Sequence, residues 1–218
     1  MTTAKTPPGI WAGQLLHACV TAILLALSWA AWKALRQPFP LSFWIAVAFP
    51  IVHQKFVWLT WRLELRSSAT SKAIGLYGYL SGFFLLFGGR FISLLALAWL
   101  DRGSLKLDAI PLAFATTLLA LPGVYAMYSV KKYFGMIRAA GVDHFDSRYR
   151  EMPLVKEGVF RFTDNGMYIY AFLLFWAIAV GFNSSAALVV AAFSHAYIWV
   201  HFFATEKPDM EYLYAKEG

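Results

Sequence analysis

Charge is scarce in this sequence. Only 14% of its 218 residues are charged, against about 25% in a soluble domain, so a water-facing surface over the whole molecule is excluded. One cysteine, Cys19, lies inside an apolar run. Alone, it excludes an intrachain disulfide, a CxxC motif and a zinc constellation built on cysteines. No internal repeat and no low-complexity tract is present. Met1 to Pro8 lacks the pattern of a signal peptide with a cleavage site, so the first apolar block is expected to be a retained span. Basic residues exceed acidic ones, giving a net charge of +7. They cluster in loops between apolar blocks, which reads as anchoring to anionic lipid on the cytoplasmic face and not as nucleic-acid binding. Neither a nucleic-acid partner nor a metal is expected.

Apolar and aromatic residues dominate, at 60% and 18%, and they fall in long blocks. A bilayer core of about 30 Å needs roughly 20 apolar residues in helix. Residues 10–35, 41–61, 73–100 and 109–130 each satisfy this. A fifth stretch, 167–204, is too long for one span and is broken by Gly181-Phe182-Asn183-Ser184-Ser185. That break reads as a tight turn between two short helices. Pro50 and Pro122 lie inside spans and are expected to kink them. The stretch 131–165 holds too many apolar and aromatic residues, among them Tyr133, Phe134, Phe145 and Phe160, to be a disordered linker. It is expected to pack as a structured cap.

The fold class is therefore all-α, a polytopic transmembrane protein with about five to six membrane helices, a C-terminal helical hairpin and a cytoplasmic cap. It forms a single integral membrane domain over 1–218, with N-terminal spans in 1–108 and a functional core in 109–218. Orientation follows from the positive residues near the loops. Arg62, Arg66, Lys72, Lys131, Lys132, Arg138, Arg148, Arg150, Lys156 and Arg161 stand on one side, and Lys33, Arg36, Arg102 and Lys106 on the other. The richer side is expected to be cytoplasmic and to carry both termini.

Polar residues stand at both ends of the terminal hairpin. Thr163-Asp164-Asn165-Gly166-Met167-Tyr168 precedes it, and Glu206-Lys207-Pro208, Tyr212 and Tyr214 follow. They can converge on one pocket at the membrane surface. Read locally, Asp164-Asn165 is an ordinary helix N-cap, Glu206 a boundary charge, and the tyrosines members of an interfacial belt. Arg90, after Gly88-Gly89 in the third span, is costly unless paired. It is either a clamp for a lipid phosphate or cofactor carboxylate, or an internally hydrogen-bonded arginine. His53 and Lys55 are two residues apart and point to different faces. His17 and His195 read as interhelical partners, while His201 lies nearer the cytoplasmic end.

These motifs resemble those of the integral-membrane methyltransferases that include phosphatidylethanolamine N-methyltransferases and isoprenylcysteine carboxyl methyltransferases. There an Arg-His-Pro-x-Tyr or Asp-Asn-Pro-Met-Tyr stretch precedes a helical hairpin, which is followed by Glu-Glu-Pro and a nearby Tyr. The Asp164-Asn165-Gly166-Met167-Tyr168 form looks like the phospholipid branch, as do Lys132-Tyr133-Phe134-Gly135-Met136 and the surroundings of Gly123. Gly166 stands where the family has Pro, and Lys207 where it has a second Glu. The resemblance covers about 110–218.

It implies S-adenosylmethionine as methyl donor, with S-adenosylhomocysteine as product, and a membrane lipid of the phosphatidylethanolamine class as acceptor. It also implies an inner bacterial membrane or an endomembrane as location, with the active site facing the cytoplasm. Gly123, Tyr133, Gly135, Arg161, Asn165, Gly166, Met167, Tyr168, Glu206 and Lys207 would bind the donor, and Arg90, Tyr212 and Tyr214 the acceptor. An amine attacks only when neutral, so a proton acceptor is required. Glu206, Asp164, Glu211 and His201 are the candidates. Two alternatives stay open: a methyltransferase of the same fold acting on a prenylcysteine carboxylate or a small thiol or amine, and a non-enzymatic transporter or scaffold. Periodicity leaves the oligomeric state open.

Overall fold

A computed structural model describes residues 6–214. Part of the segment Met1 to Pro8, and the placement of both termini, lie outside the described residues. Six helices carry the fold: α1 Gln14–Ala34, α2 Pro40–Ser67, α3 Gly75–Leu100, α4 Ala109–Phe134, α5 Met167–Gly181 and α6 Ser185–Leu213. All but α5 are long and apolar enough to cross a membrane, and no strand occurs among the described residues. The chain is an all-α polytopic membrane protein.

The helices are apolar almost all round, which is the pattern of segments that face lipid on one side and protein on the other. Leu15, Leu27, Leu85, Ile110 and Leu118 point outward. Trp32, Phe43, Leu97, Phe193 and Tyr197 pack inward in one core. Helix α6 is central and α4 peripheral. Helix α4 leans on α5 and scarcely touches α3, which leaves a seam between α3 and α4.

At the end away from the cap, Asp101 ties the hairpin down. Its Oδ2 accepts from Ser104 Oγ at 2.6 Å, Ser184 Oγ at 2.8 Å and Ala186 N at 2.9 Å. Ser184 caps α6 by accepting from Ala187 N, and Asn183 takes the left-handed conformation, φ 55°. The expected tight turn is present. The second helix of the hairpin, however, is not short. It continues through a π-helical turn, Phe202–Glu206, into Lys207–Leu213, so Glu206 lies within α6 and not at its end. Pro208 has no N–H and would break a regular helix. Placed directly after a π turn, in the first positions of the next segment, it is tolerated.

The chain between α4 and α5 lies over the other ends of the helices as short helical turns. Two aromatic residues below receive it. Trp61 stacks on His144 at 3.9 Å between ring centroids, and Tyr79 Oη donates to the Ala140 carbonyl at 2.6 Å while accepting from Trp61 Nε1 at 2.7 Å. Gly141, with φ 79°, is where the cap backbone presses on the Trp61 indole, and a Cβ there would collide with the ring.

One buried ionic chain locks α2, α6 and the cap together. Arg62 Nε meets Asp209 Oδ1 at 2.7 Å, with both side chains fully buried, and Arg62 Nη1 donates to the Gly9 carbonyl at 2.6 Å. Asp209 Oδ2 lies 3.5 Å from His144 Nε2, and His144 Nδ1 lies 3.1 Å from Asp143 Oδ1. Removing one member strands a buried charge, at a cost of about 3–5 kcal/mol. Asp209→Ala is therefore expected to lower the melting temperature of the detergent-purified protein sharply, whereas the double substitution Arg62→Met, Asp209→Leu recovers most of the loss. An unchanged melting temperature in the single variant would rule this lock out.

Candidate active site

Two chambers meet beneath the cap. The inner one, about 110 Å³, lies among α2 to α6 and is lined by His53, Trp61, Phe87, Arg90, Tyr168 and His201, among others. The outer one, about 530 Å³, lies between the cap and the end of α6. Arg138, Asp143, Lys207, Glu211 and Tyr214 contribute to its wall. Trp61, Ala139, Met167, Tyr168 and Glu206 line both. At this shared wall Tyr168 Oη donates to Glu206 Oε2, so the two ends of the terminal hairpin meet.

Local helix geometry explains the convergence. In a regular α-helix, residues five apart point about 140° apart. The π turn Phe202–Glu206 holds one extra residue in its hydrogen-bonded loop and swings Glu206 back to the His201 face, and both line the inner chamber. Further π turns occur at Met167–Ala171, which carries Tyr168, and at Val130–Phe134. Such turns commonly mark functional sites.

Among the residues expected from the sequence, Glu206, Met167, Tyr168, His201, Arg90, Lys207, Glu211 and Tyr214 line one or both chambers. The others do not line either. Asp164 is exposed, and Arg161 is exposed with its guanidinium over Phe162. Gly123 is a packing residue, since a Cβ there would lie 2.8 Å from Leu174 Cγ where α4 meets α5. Gly166 is closed by the cap in the same way, against Val159 Cγ1 at 2.8 Å. Asn165 starts α5 by accepting from the N–H groups of Tyr168 and Ile169. Tyr133 is exposed beside Lys132, Gly135 faces open space, and Tyr212 is half-buried.

Apart from Arg90, sequence reasoning missed the wall supplied by the N-terminal half. His53 and Gln54, buried in α2, were the available signal, because polar residues inside a span are functional candidates by default. The inner chamber takes both. Lys55 turns the other way and donates to Gln14 Oε1 at 3.2 Å. His17 bridges α1 to α6 through Tyr197 Oη at 2.9 Å, and His195 accepts from Trp176 Nε1 at 3.1 Å.

Residues 111–217 match the sequence profile described as phospholipid methyltransferase. This C-terminal half belongs to that family. It contains nearly all of the last three helices, the cap and, apart from Trp61, the wall the two chambers share. No curated protein and no solved structure matches the chain. Membership makes this a membrane methyltransferase fold, and no group of residues able to hold a metal ion occurs among the described residues.

Asp143 and His144 set the electrostatics of the cap. Burial alone would lower the His144 pKa, but the adjoining Asp143 and Asp209 carboxylates raise it above the ordinary 6.5. Burial would raise the Asp143 pKa, but His144, Tyr214 and Arg138 bring it below the ordinary 3.8. Burial and the Asp143 carboxylate push the Tyr214 phenol up to about 12, so it stays a donor to Asp143 Oδ2 at 2.9 Å. The His144 contribution to stability is complete below its unfolded pKa and is lost as pH rises through the raised folded value. The Asp143 contribution is present above its unfolded pKa and is lost as pH falls through the lowered one. Melting temperature is accordingly expected to fall on the alkaline side, and His144→Gln to flatten that limb. An alkaline limb that survives the substitution would assign it to other groups.

Proposed function

We propose that this phospholipid methyltransferase transfers methyl groups from S-adenosylmethionine to the amine of phosphatidylethanolamine or its partly methylated forms. In this reading the cap faces the cytoplasm, in agreement with the excess of Lys and Arg on that side. The observation that carries the reading is the Tyr168–Glu206 pair in the wall between a chamber under the cap, which has the more charged lining, and a less charged one among the helices.

The outer chamber suits the donor. Its volume of about 530 Å³ lies in the range of small-molecule sites, about 300–1,000 Å³. Lys207 and Arg138 can receive a carboxylate, and the faces of Trp61, Tyr168 and Phe202 can hold a positive charge, at about 0.5–2 kcal/mol per contact. When bound there, S-adenosylmethionine supplies an electrophilic methyl group on a cationic sulfur.

The protein does the remaining work. Glu206 accepts the proton that an ethanolammonium must lose before its nitrogen can attack. Tyr168 donates to one Glu206 oxygen and turns the other toward the chamber, which fixes the direction of proton transfer. Positioning amine and methyl on one line supplies much of the rate. Acyl chains enter through the α3–α4 seam, where the inner chamber is edged by Phe83, Phe84 and Phe87 on one side and Met127 and Val130 on the other. Phe84 is exposed at the outer surface.

Purified protein in phosphatidylethanolamine liposomes with methyl-labelled donor is expected to label the lipid. Glu206→Gln is expected to lower kcat by about 10²–10⁴-fold, the usual contribution of a positioned base, with S-adenosylhomocysteine binding retained by calorimetry. Normal turnover in the variant refutes the role of Glu206. Absence of label with donor binding intact excludes this acceptor, and absence of donor binding leaves the scaffold reading.

A further inference from the structure

Arg90 is a cation inside the membrane with no anion beside it. It is 3% exposed, and none of the ion pairs among the described residues includes it. Its Nε and Nη2 have no hydrogen-bond partner. Nη1 reaches His53 Nδ1 at 3.4 Å. A ring nitrogen that accepts from a guanidinium carries no proton, so His53 is neutral with its hydrogen on Nε2. That Nε2 is itself buried without a partner, as is Nδ1 of His201. All three side chains line the inner chamber. The rings of Phe172 and Phe175 flank the guanidinium at 5.2 and 5.4 Å. Gly89 leaves no room for a side chain against Phe49, which lets α3 approach α2 closely enough for Arg90 to meet His53.

A buried charge without a partner is costly, and here three N–H groups face a cavity without acceptors: Nε and Nη2 of Arg90 and Nε2 of His53. An oxyanion in the chamber would satisfy all of them. The one carboxylate in the chamber wall, Glu206, belongs to the shared wall nearer the cap.

We propose that Arg90, with His53 and His201, binds the phosphodiester of the lipid acceptor, which makes the acceptor class a phospholipid with its amine on a short arm beyond the phosphate. This deepens the reading of the site as a lipid N-methyltransferase and rests on it. The order of groups agrees with a lipid in the leaflet on the cap side. Glu206 lies ~7 Å further toward the cap along α6 than His201, so amine, phosphate and acyl chains run from the cap inward and out through the α3–α4 seam. An amphiphilic amine without an anionic group leaves the guanidinium unpaired and is discriminated against.

Native mass spectrometry of the full chain in detergent tests this with three probes: phosphatidylethanolamine, diacylglycerol with the same chains, and inorganic phosphate. The parent protein is expected to retain phosphatidylethanolamine in preference to the other two. Arg90→Met is expected to retain it about tenfold to a hundredfold less, the range for a lost charged hydrogen bond. The same variant is expected to melt no lower than the parent without lipid, because it removes an unpaired buried charge. Unchanged retention in Arg90→Met overturns the proposal, as does equal retention of diacylglycerol. Inorganic phosphate that binds as well as the lipid reassigns the site to a free anion. A melting temperature that falls together with retention assigns Arg90 a structural role and also overturns it. Loss of S-adenosylhomocysteine affinity in Arg90→Met places the donor carboxylate there instead. Retention that depends on Arg90, in a parent protein that labels no lipid, leaves the anion site standing while the methyltransfer reading fails.

Discussion

The contact between Arg62 and Asp209 governs the rest of the molecule. Each side chain is fully buried, and each is tolerable only because the other is there. Through it the last turns of α6 are held against α2, and through His144 the cap is held against both. Glu206 lies three residues before Asp209 in the same helix. The position of the carboxylate at the shared wall therefore depends on an ion pair about one helical turn away. This separation of tasks is economical in sequence terms: Asp209 supports the helix, and Glu206 faces both chambers.

The two chambers are unlike because their walls come from different parts of the chain. Phe83, Phe84 and Phe87 of α3 and Met127 of α4 make the inner one apolar. Arg138, Asp143 and Tyr214, from the cap and the end of the described chain, bring more charged and polar groups to the outer one. The π turns in α5 and α6 set Tyr168 and Glu206 at the border, where a regular helix would turn one of them away. Backbone irregularity and side-chain chemistry thus occur together.

Much of the architecture was legible in the sequence, for a physical reason. A lipid environment demands long apolar helices, and blocks such as 73–100 can be little else. The turn at Gly181–Ser185 was equally readable from its small and polar residues. The length of α6 was not, because Pro208 signals a stop unless a π turn precedes it, and no local pattern announces a π turn. In the site, Tyr168 and Glu206 were readable as polar residues flanking an apolar pair. Asp164, in the turn before α5, and Gly123, packed against Leu174, lie away from both chambers, since proximity in sequence to a motif does not decide which way a residue points. Arg62, Asp209 and His53 gain their meaning from partners far away in the chain, and spacing does not reveal such partners.

In the proposed orientation the seam between α3 and α4 faces the hydrocarbon of the bilayer, and the outer chamber faces the water on the cap side. Molecules entering by these routes obey different laws of concentration: mole fraction within a two-dimensional film for one, molarity in bulk solution for the other. If donor and acceptor bind as proposed, occupancy of each chamber responds to its own phase, and neither occupant needs to leave before its neighbour is exchanged.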